Sequence, residues 1–363
     1  MEKITRRVTE PVQVGGVTIG GGNPVVIQSM TNTRTADSAA TLKQVNQLVE
    51  AGCELVRLAV PDRDAVQAFA GLARKSPVPL IADIHFDARL ALEAMENGAA
   101  KIRINPGNIG GKDKLIELAR RAEQMKVPIR VGVNAGSLEK RLLERHGGAN
   151  AAALVDSALG YLDALEDTGF TRIVVSLKAS DVLTTIKAYR LFSEQKMYPL
   201  HLGVTGAGPL RSGLIKGAIG IGSLLADGIG DTIRVSLTAH PVEEVRAARQ
   251  ILQSMGMNRY GPELISCPTC GRCSVDLVSL VNDAETLLEN YRLPLKVAVM
   301  GCAVNGPGEA KEADLGISAG KKHGIVFSHG KVIRTIGLDY LLDALKEELD
   351  LAAARNGRQE EGE

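Results

Sequence analysis

Residues 226–237 read ADGIGDTIRVSL. A helix end runs into a glycine, and the glycine into a β-branched run that carries an arginine. Gly228 fits the left-handed position just past a helix C-terminus, and TIRVSL has the make-up of a buried strand. Three earlier stretches repeat the pattern: EAGCELVRLAV (50–60), ENGAAKIRIN (96–105) and DTGFTRIVVSL (167–177), with Gly52, Gly98 and Gly169 in the same place. VVIQSM, PLIADIH, IRVGVN and LHLGVTGAG supply further strands between them. The expected strands are 25–30, 54–60, 79–85, 101–106, 129–134, 172–179, 200–205 and 231–237. Helical patterns such as DARLALEAMENG (87–98) and PVEEVRAARQILQSMG (241–256) separate most neighbours. Eight such units within the first 260 residues predict a TIM (β/α)8 barrel in preference to an open doubly wound sheet. The earlier VQVGGVTIGGG (12–22) predicts a hairpin covering the barrel floor.

After MGMNRYGPELIS (255–266) the pattern changes. A cysteine loop, a helix (275–291), a strand (295–301), a Gly/Pro loop (302–310), a strand pair and a final helix predict a smaller α+β domain. The expected division is 1–260 for the barrel and 261–352 for the second domain, with 353–363 a disordered polar tail.

The 363 residues are 45% hydrophobic but only 3% aromatic, with no tryptophan, so the core is built from aliphatic side chains. The formal net charge of +1 leaves no global field to attract nucleic acid or an acidic membrane. No apolar leader opens the chain and no apolar run reaches membrane-spanning length, so a cytoplasmic protein is expected. Thiols stay reduced in that compartment, and clustered cysteines there read as metal ligands or catalytic groups before disulfides.

TIM-barrel sites lie at the carboxyl ends of the strands. Residues two or four apart on a strand share a face, which groups Arg103 with Asn105, Arg130 with Asn134, Ser176 with Lys178, Arg234 with Ser236, and Asp83 with His85. Arg57 stands alone on its strand. Buried guanidinium groups need partners, and too few carboxylates lie at these strand ends to supply them. The missing anion is expected to be a phosphorylated ligand. Two alternatives stay open: rim salt bridges, and a barrel metal on Asp83 and His85 with His201. Glu243 and Glu244, just after Pro241, read as serving a helix dipole and a solvent face.

Of five cysteines, three form SCPTCGRC (266–273): Cys267, Cys270 and Cys273. Cys302 follows at a distance. A local run plus one remote cysteine fits an iron–sulfur cluster better than zinc, which favours two separated Cys-x-x-Cys pairs. Cys53, at a strand start, reads as a core thiol. In GCAVNGPGEA (301–310) two tight turns bring Glu309 towards Cys302, as a surface residue or as an oxygen ligand to iron.

SCPTCGRC, GCAVNGPGEA, IGIGSLLADGIGDTIRVSL and KIRINPGN together resemble the 4-hydroxy-3-methylbut-2-enyl diphosphate synthase family over nearly the whole chain. The resemblance implies a TIM barrel followed by a domain similar to those of sulfite and nitrite reductases. It implies a 4Fe–4S cluster held by Cys267, Cys270, Cys302 and Glu309, which leaves Cys273 outside the ligand set. It places substrate contacts on Arg57, Arg103, Arg130, Asn134, Lys178, Thr205 and Ser236, with Glu309 also catalytic. The implied reaction, in isoprenoid biosynthesis by the methylerythritol phosphate (MEP) route, is reductive ring opening of 2-C-methyl-D-erythritol 2,4-cyclodiphosphate. Two electrons from ferredoxin or flavodoxin drive it, and a hydroxyl is lost as water. A head-to-tail homodimer is implied, the cluster domain of one chain capping the barrel of the other, with neither nucleic acid nor membrane as partner. The competing reading is a metal-dependent barrel phosphoester hydrolase with a structural zinc domain. One departure stands out: the family carries TEAG after the seventh strand, where this chain reads TGAG with Gly206.

Overall fold

A computed structural model of the chain describes residues 4–257, 261–302 and 310–360, the last four of these by backbone alone. It divides into two compact units, Met1–Met257 and Asn258–Glu363. Among the described residues no helix is long and apolar enough to cross a membrane.

The first unit opens with a hairpin, β1 (Val12–Val14) and β2 (Val17–Ile19). Eight parallel strands follow: β3 (Val26–Met30), β4 (Leu55–Ala59), β5 (Leu80–Ile84), β6 (Lys101–Ile104), β7 (Ile129–Asn134), β8 (Ile173–Lys178), β9 (His201–Leu202) and β10 (Thr232–Ile233). Their order is β8-β7-β6-β5-β4-β3-β10-β9. A parallel bridge from Val175 to Leu200 joins the two edges, and the sheet closes as a barrel.

The helices between the strands are α1 (Ser38–Glu50), α2 (Arg63–Lys75), α3 (Ala88–Glu96), α4 (Lys112–Met125), α5 (Lys140–His146), α6 (Ala151–Glu166), α7 (Val182–Ser193), α8 (Leu210–Ala226) and α9 (Pro241–Ser254). Several start on a side-chain cap: Asp37, Asp62, Asp87, Asn150 and Asp181 each accept a backbone N–H from the first turn. Each such cap contributes about 1 kcal/mol. The glycines that punctuate the repeat (Gly52, Gly98, Gly169 and Gly228) all have positive φ, as a helix stop before a strand requires.

The hairpin forms the barrel floor. Val12, Val14 and Ile19 pack against Val26, Leu55, Ile81 and Val174, and a side chain of this size contributes roughly 1.5–3 kcal/mol on full burial.

Most barrel strands lose a residue or two at their ends relative to the expected ranges, and two are much shorter. Thr232–Ile233 and His201–Leu202 replace the expected 231–237 and 200–205. Side chains take over backbone pairing there: the Asp231 carboxylate accepts from the Leu200 N–H at 2.8 Å and from Thr9 Oγ1 at 3.0 Å. The Arg7 guanidinium donates to the carbonyls of Ser193, Lys196 and Tyr198, each at 2.8 Å. The N-terminal segment thus ties down the turns next to the shortest strands.

The second unit holds a five-stranded sheet: β11 (Glu263–Ser266), β12 (Lys296–Met300), β13 (Leu315–Ala319), β14 (Gly324–Ser328) and β15 (Lys331–Ile336), in that order. The first three are parallel and the last two antiparallel. Helices α10 (Leu277–Leu288) and α11 (Leu341–Glu360) pack with Val297, Val299, Ile317 and Val326 in one core. Ala298, Met300, Ala313 and Phe327 form another. Two features depart from the sequence reading. Strand β11 precedes the cysteine loop; its residues are only half-buried, so they carry no strong period. Helix α11 runs through Glu360, past residue 352, because Ala352, Ala353, Ala354 and Arg355 are strong helix formers. Residues 361–363 lie outside the described residues.

Candidate active site

Ladder register sets the barrel interior. Met30, Arg57, Ile81 and Lys101 stand in one row. Asp83, Arg103 and Arg130 stand in the next row toward the carboxyl ends. Residues paired across a sheet share a face, so one row follows the other up the barrel wall.

Asp83 is the hub of the upper row. Its Oδ1 accepts from Arg103 Nη1 at 3.1 Å, and its Oδ2 lies 3.6 Å from Arg57 Nε and 3.3 Å from His85 Nε2. Burial works against its charge, but Arg57, the His85 contact and Arg103 prevail and hold the carboxyl well below the usual carboxylate range. Arg57 is lowered to about 10, by burial first, with Arg234 and Arg103 adding and Asp83 opposing. Its Nε and Nη2 lie 3.1 and 2.9 Å from Met30 Sδ, a weak acceptor.

A second carboxylate corrects the sequence reading. Glu243 does sit at the helix surface, paired with Arg246 at 2.9 Å. Glu244 instead turns inward and is buried. It accepts from Arg234 Nε at 3.0 Å and Nη2 at 3.1 Å, from Ser29 Oγ at 2.9 Å and from the Leu237 N–H at 3.2 Å. No sequence signal gave this, because the approach of α9 to the strand ends is a tertiary fact.

Among the described residues the remaining cations have no carboxylate of their own. Arg130 is 1% exposed, and its Nε and Nη1 have no hydrogen-bond partner among the described residues. Burial, then Arg57 and Arg103, push its pKa well down. Lys178 is buried and likewise shifted well down by burial, then by Arg130 and Arg57. Six basic side chains (Arg57, Lys101, Arg103, Arg130, Lys178 and Arg234) thus share two carboxylates, Asp83 and Glu244. Lys101 was missed by the strand-end reading, although its i, i+2 relation to Arg103 in KIRIN was there to be read.

Glycines make room for these long side chains. A Cβ at Gly132 would lie 3.0 Å from Arg103 Nε, and one at Gly203 would lie 2.7 Å from Lys178 Nζ. Asn134 pairs in register with Lys178, at the upper end of the wall. Asn105 Nδ2 donates to Ser137 Oγ at 2.7 Å, and Ser137 Oγ donates to the Asn134 carbonyl at 3.1 Å, joining the loops after β6 and β7. Thr205, Asn134 and Ser236 are half-buried beyond the rows. Gly206 is exposed at φ +61, and a Cβ there would find only Ser180 Cβ, at 3.7 Å.

A barrel metal finds no support, because Asp83 is engaged by two arginines. His201 is fully buried, its Nδ1 lies 3.4 Å from Thr232 Oγ1, and burial, then Arg130 and Lys178, hold its pKa well below the usual value.

In the second unit all four cysteines are free thiols: Cys302 buried, Cys267 and Cys273 half-buried, Cys270 exposed. The Gly301 N–H donates to Cys267 Sγ at 3.4 Å, which sets the loop beside the end of β12, next to Cys302. Ser274 N donates to the Gly301 carbonyl at 3.0 Å, and Cys273 N to the Cys270 carbonyl at 2.9 Å. Cys273 Sγ packs over Gly301, 2.5 Å from where a Cβ would stand. Among the described residues no three His, Cys, Asp or Glu side chains are arranged to hold a metal ion. Glu309 lies outside the described residues. In donor chemistry the soft thiols around Gly301 suit an iron–sulfur cluster. Cys53 is a core thiol, its pKa pushed up to about 12 by burial, with its S–H directed to the Leu55 carbonyl at 3.1 Å.

Comparison with known proteins finds the GcpE TIM-barrel domain over residues 9–249 and the GcpE protein C-terminal domain over 263–351. The chain belongs to the GcpE family. Among its relatives, the 4-hydroxy-3-methylbut-2-en-1-yl diphosphate synthase (flavodoxin) of Lawsonia intracellularis is 53% identical over 350 residues, 96% of this chain and 98% of that one. The enzyme of the same name from Bacillus subtilis is 50% identical over 100% of this chain and 97% of its own. The GcpE barrel also resembles the dihydropteroate synthase of Stenotrophomonas maltophilia, with a TM-score of 0.52 at 16% identity over 68% of this chain and 98% of that one; the likeness is one of fold alone.

Proposed function

We propose that this GcpE-family chain is a flavodoxin-dependent 4-hydroxy-3-methylbut-2-en-1-yl diphosphate synthase. It opens the ring of 2-C-methyl-D-erythritol 2,4-cyclodiphosphate reductively, in isoprenoid biosynthesis. One observation carries the substrate side of the reading: among the described residues six inward basic side chains share two carboxylates, and the buried Arg130 has no hydrogen-bond partner for Nε and Nη1. A buried cation excess of this kind is offset by a bound polyanion. A zinc-bearing hydrolase is not favoured, since neither the site nor the relatives point to one.

In this reading the barrel, residues 1–260, binds substrate. Arg57, Arg103, Arg130 and Lys178 hold the two phosphoryl groups, with Asn134, Thr205 and Ser236 donating from the half-buried rim. Asp83 keeps two of the arginines fixed before substrate arrives, which lowers the ordering cost of binding. Residues 261–352 form the cluster domain, in which Cys267, Cys270, Cys302 and Glu309 would hold the 4Fe–4S group. When bound, that group supplies electrons one at a time and an iron atom that attracts substrate oxygen. A carboxylate at Glu309 is a harder ligand than thiolate and is the one most readily exchanged from reduced iron. Cys273, packed on Gly301, shapes the loop and stays outside the ligand set. The working unit is a head-to-tail homodimer, the cluster domain of one copy serving the barrel of the other, with reduced flavodoxin as donor.

The test is an anaerobic assay of purified, iron–sulfur-reconstituted protein with the cyclodiphosphate and a chemical reductant. The butenyl diphosphate is the expected product. Colourless protein with stoichiometric zinc, or brown protein that leaves the substrate unchanged, sinks the proposal.

A further inference from the structure

Lys101 belongs to neither the strand-end reading nor the family's contact set. It opens β6 on the same face as Arg103, one row deeper in the barrel and level with Arg57. Its Nζ is fully buried and has no hydrogen-bond partner among the described residues. Holding an isolated ammonium there costs several kcal/mol.

Among the described residues no carboxylate pairs with it. Arg57 acts on it from β4 and Arg130 from β7; Arg103 lies two residues along its own strand, Lys178 ends β8 and Arg234 follows β10. His201 on β9 is fully buried with Nε2 unpartnered, and Gln28 on β3 has neither amide atom bonded. From β5 comes Asp83, already shared by Arg57 and Arg103, and from α9 Glu244, already clamped by Arg234. The floor hairpin brings only Val12, Val14 and Ile19. Burial, then Arg130 and Arg57, therefore favour the neutral amine while the barrel is empty of ligand.

We infer that Lys101 is a positioning residue that takes up a proton from solvent when the cyclodiphosphate enters the barrel, so that binding substrate and charging the interior are one event. The inference rests on the functional reading above for the identity of the ligand. A polyanion set against Arg57 and Arg130 cancels the repulsion they exert on Lys101 and restores its affinity for a proton. The charged amine then attracts the phosphoryl groups from below and holds the ring against the floor side of the site. The free barrel binds fewer protons at this position than the complex, so affinity weakens as pH rises, by at most about tenfold per pH unit.

The experiment is titration calorimetry of the full-length protein with the cyclodiphosphate, under anaerobic conditions without reductant. It is run at one neutral pH in buffers of differing ionisation enthalpy. The wild type is expected to take up about one proton per ligand bound, read as the slope of observed enthalpy against buffer enthalpy. Lys101→Arg, charged throughout, binds without uptake. Lys101→Met binds about ten- to a hundredfold more weakly, again without uptake. Ligand-free Lys101→Met melts no lower than the wild type, since it removes an unpartnered buried amine. Wild-type binding without proton uptake overturns the inference alone, whatever the variants do. Undiminished uptake in Lys101→Met also overturns it, by assigning the proton to Lys178 or His201. Absence of any wild-type binding overturns the functional reading and the inference together.

Discussion

The barrel interior and the cysteine loop reach chemistry by opposite routes. In the barrel, regular register does the placing: Arg57, Lys101, Arg103 and Arg130 face inward because strand side chains alternate. In the proposed function they act together on one anion, and burial with the neighbouring cations pushes the pKa values of Arg57, Lys101 and Arg130 down. In the second unit, turns do the placing. Cys267, Cys270 and Cys273 ride one loop tied to Gly301 through the Cys267 Sγ and the Ser274 N–H, and in the proposed ligand set Cys267 and Cys270 each count singly. A charge field tolerates the loss of one member with graded weakening. A ligand set does not.

Cys302→Ser should break the second route outright. Reconstituted protein is expected to lose its cluster absorbance and all turnover, while cyclodiphosphate binding by the barrel stays near wild type. Loss of binding as well would show that the two routes are not separable.

Asp83→Asn probes the first route from its hub. It strands Arg57 and Arg103 beside each other, and removing one partner from such a buried pair costs about 3–5 kcal/mol. The pH dependence follows from the depressed carboxyl. A group whose folded pKa lies below its unfolded value stabilises fully above the unfolded value, about 3.9, and that contribution is lost as pH falls toward the folded one. Denaturation midpoints should therefore differ by a constant amount at neutral pH and converge only below about pH 4. A gap that changes already between neutrality and mild acid would show that the depressed Asp83 carboxyl is not its source.

Gly206→Glu is the smallest change, at the rim position where the sequence resemblance implies a glutamate. The site is open, with only Ser180 Cβ near, but the left-handed backbone costs a non-glycine residue about 1–2 kcal/mol. Turnover is expected to rise despite a small fall in melting temperature. A clear drop in turnover would remove this position from acid–base chemistry.

Much of this was legible in the chain. The four helix–Gly–strand repeats and the four strands read between them made eight and hence the barrel, because a helix stop and a buried parallel strand each demand specific residue types. The excess of strand-end cations over carboxylates was legible too, because residues two or four apart on a strand share a face. Glu244 was not: at a helix start it looks solvated, and only the seat of α9 over Ser29 and Arg234 turns it inward. Strand β11 was missed because a half-buried edge carries weak alternation.

By itself, the sequence determined the periods: where strands and helices fall, which residues share a face, and that thiols cluster in one loop. These are local consequences of backbone geometry and side-chain type. Only the tertiary structure decided which charges are paired. It gave Asp83 to two arginines and Glu244 to Arg234, and among the described residues it left Lys101 Nζ and Arg130 Nε and Nη1 without hydrogen-bond partners. Pairing depends on distances between segments far apart in the chain, and in a low-dielectric interior those distances set whether a charge is held, shifted or left waiting for a ligand.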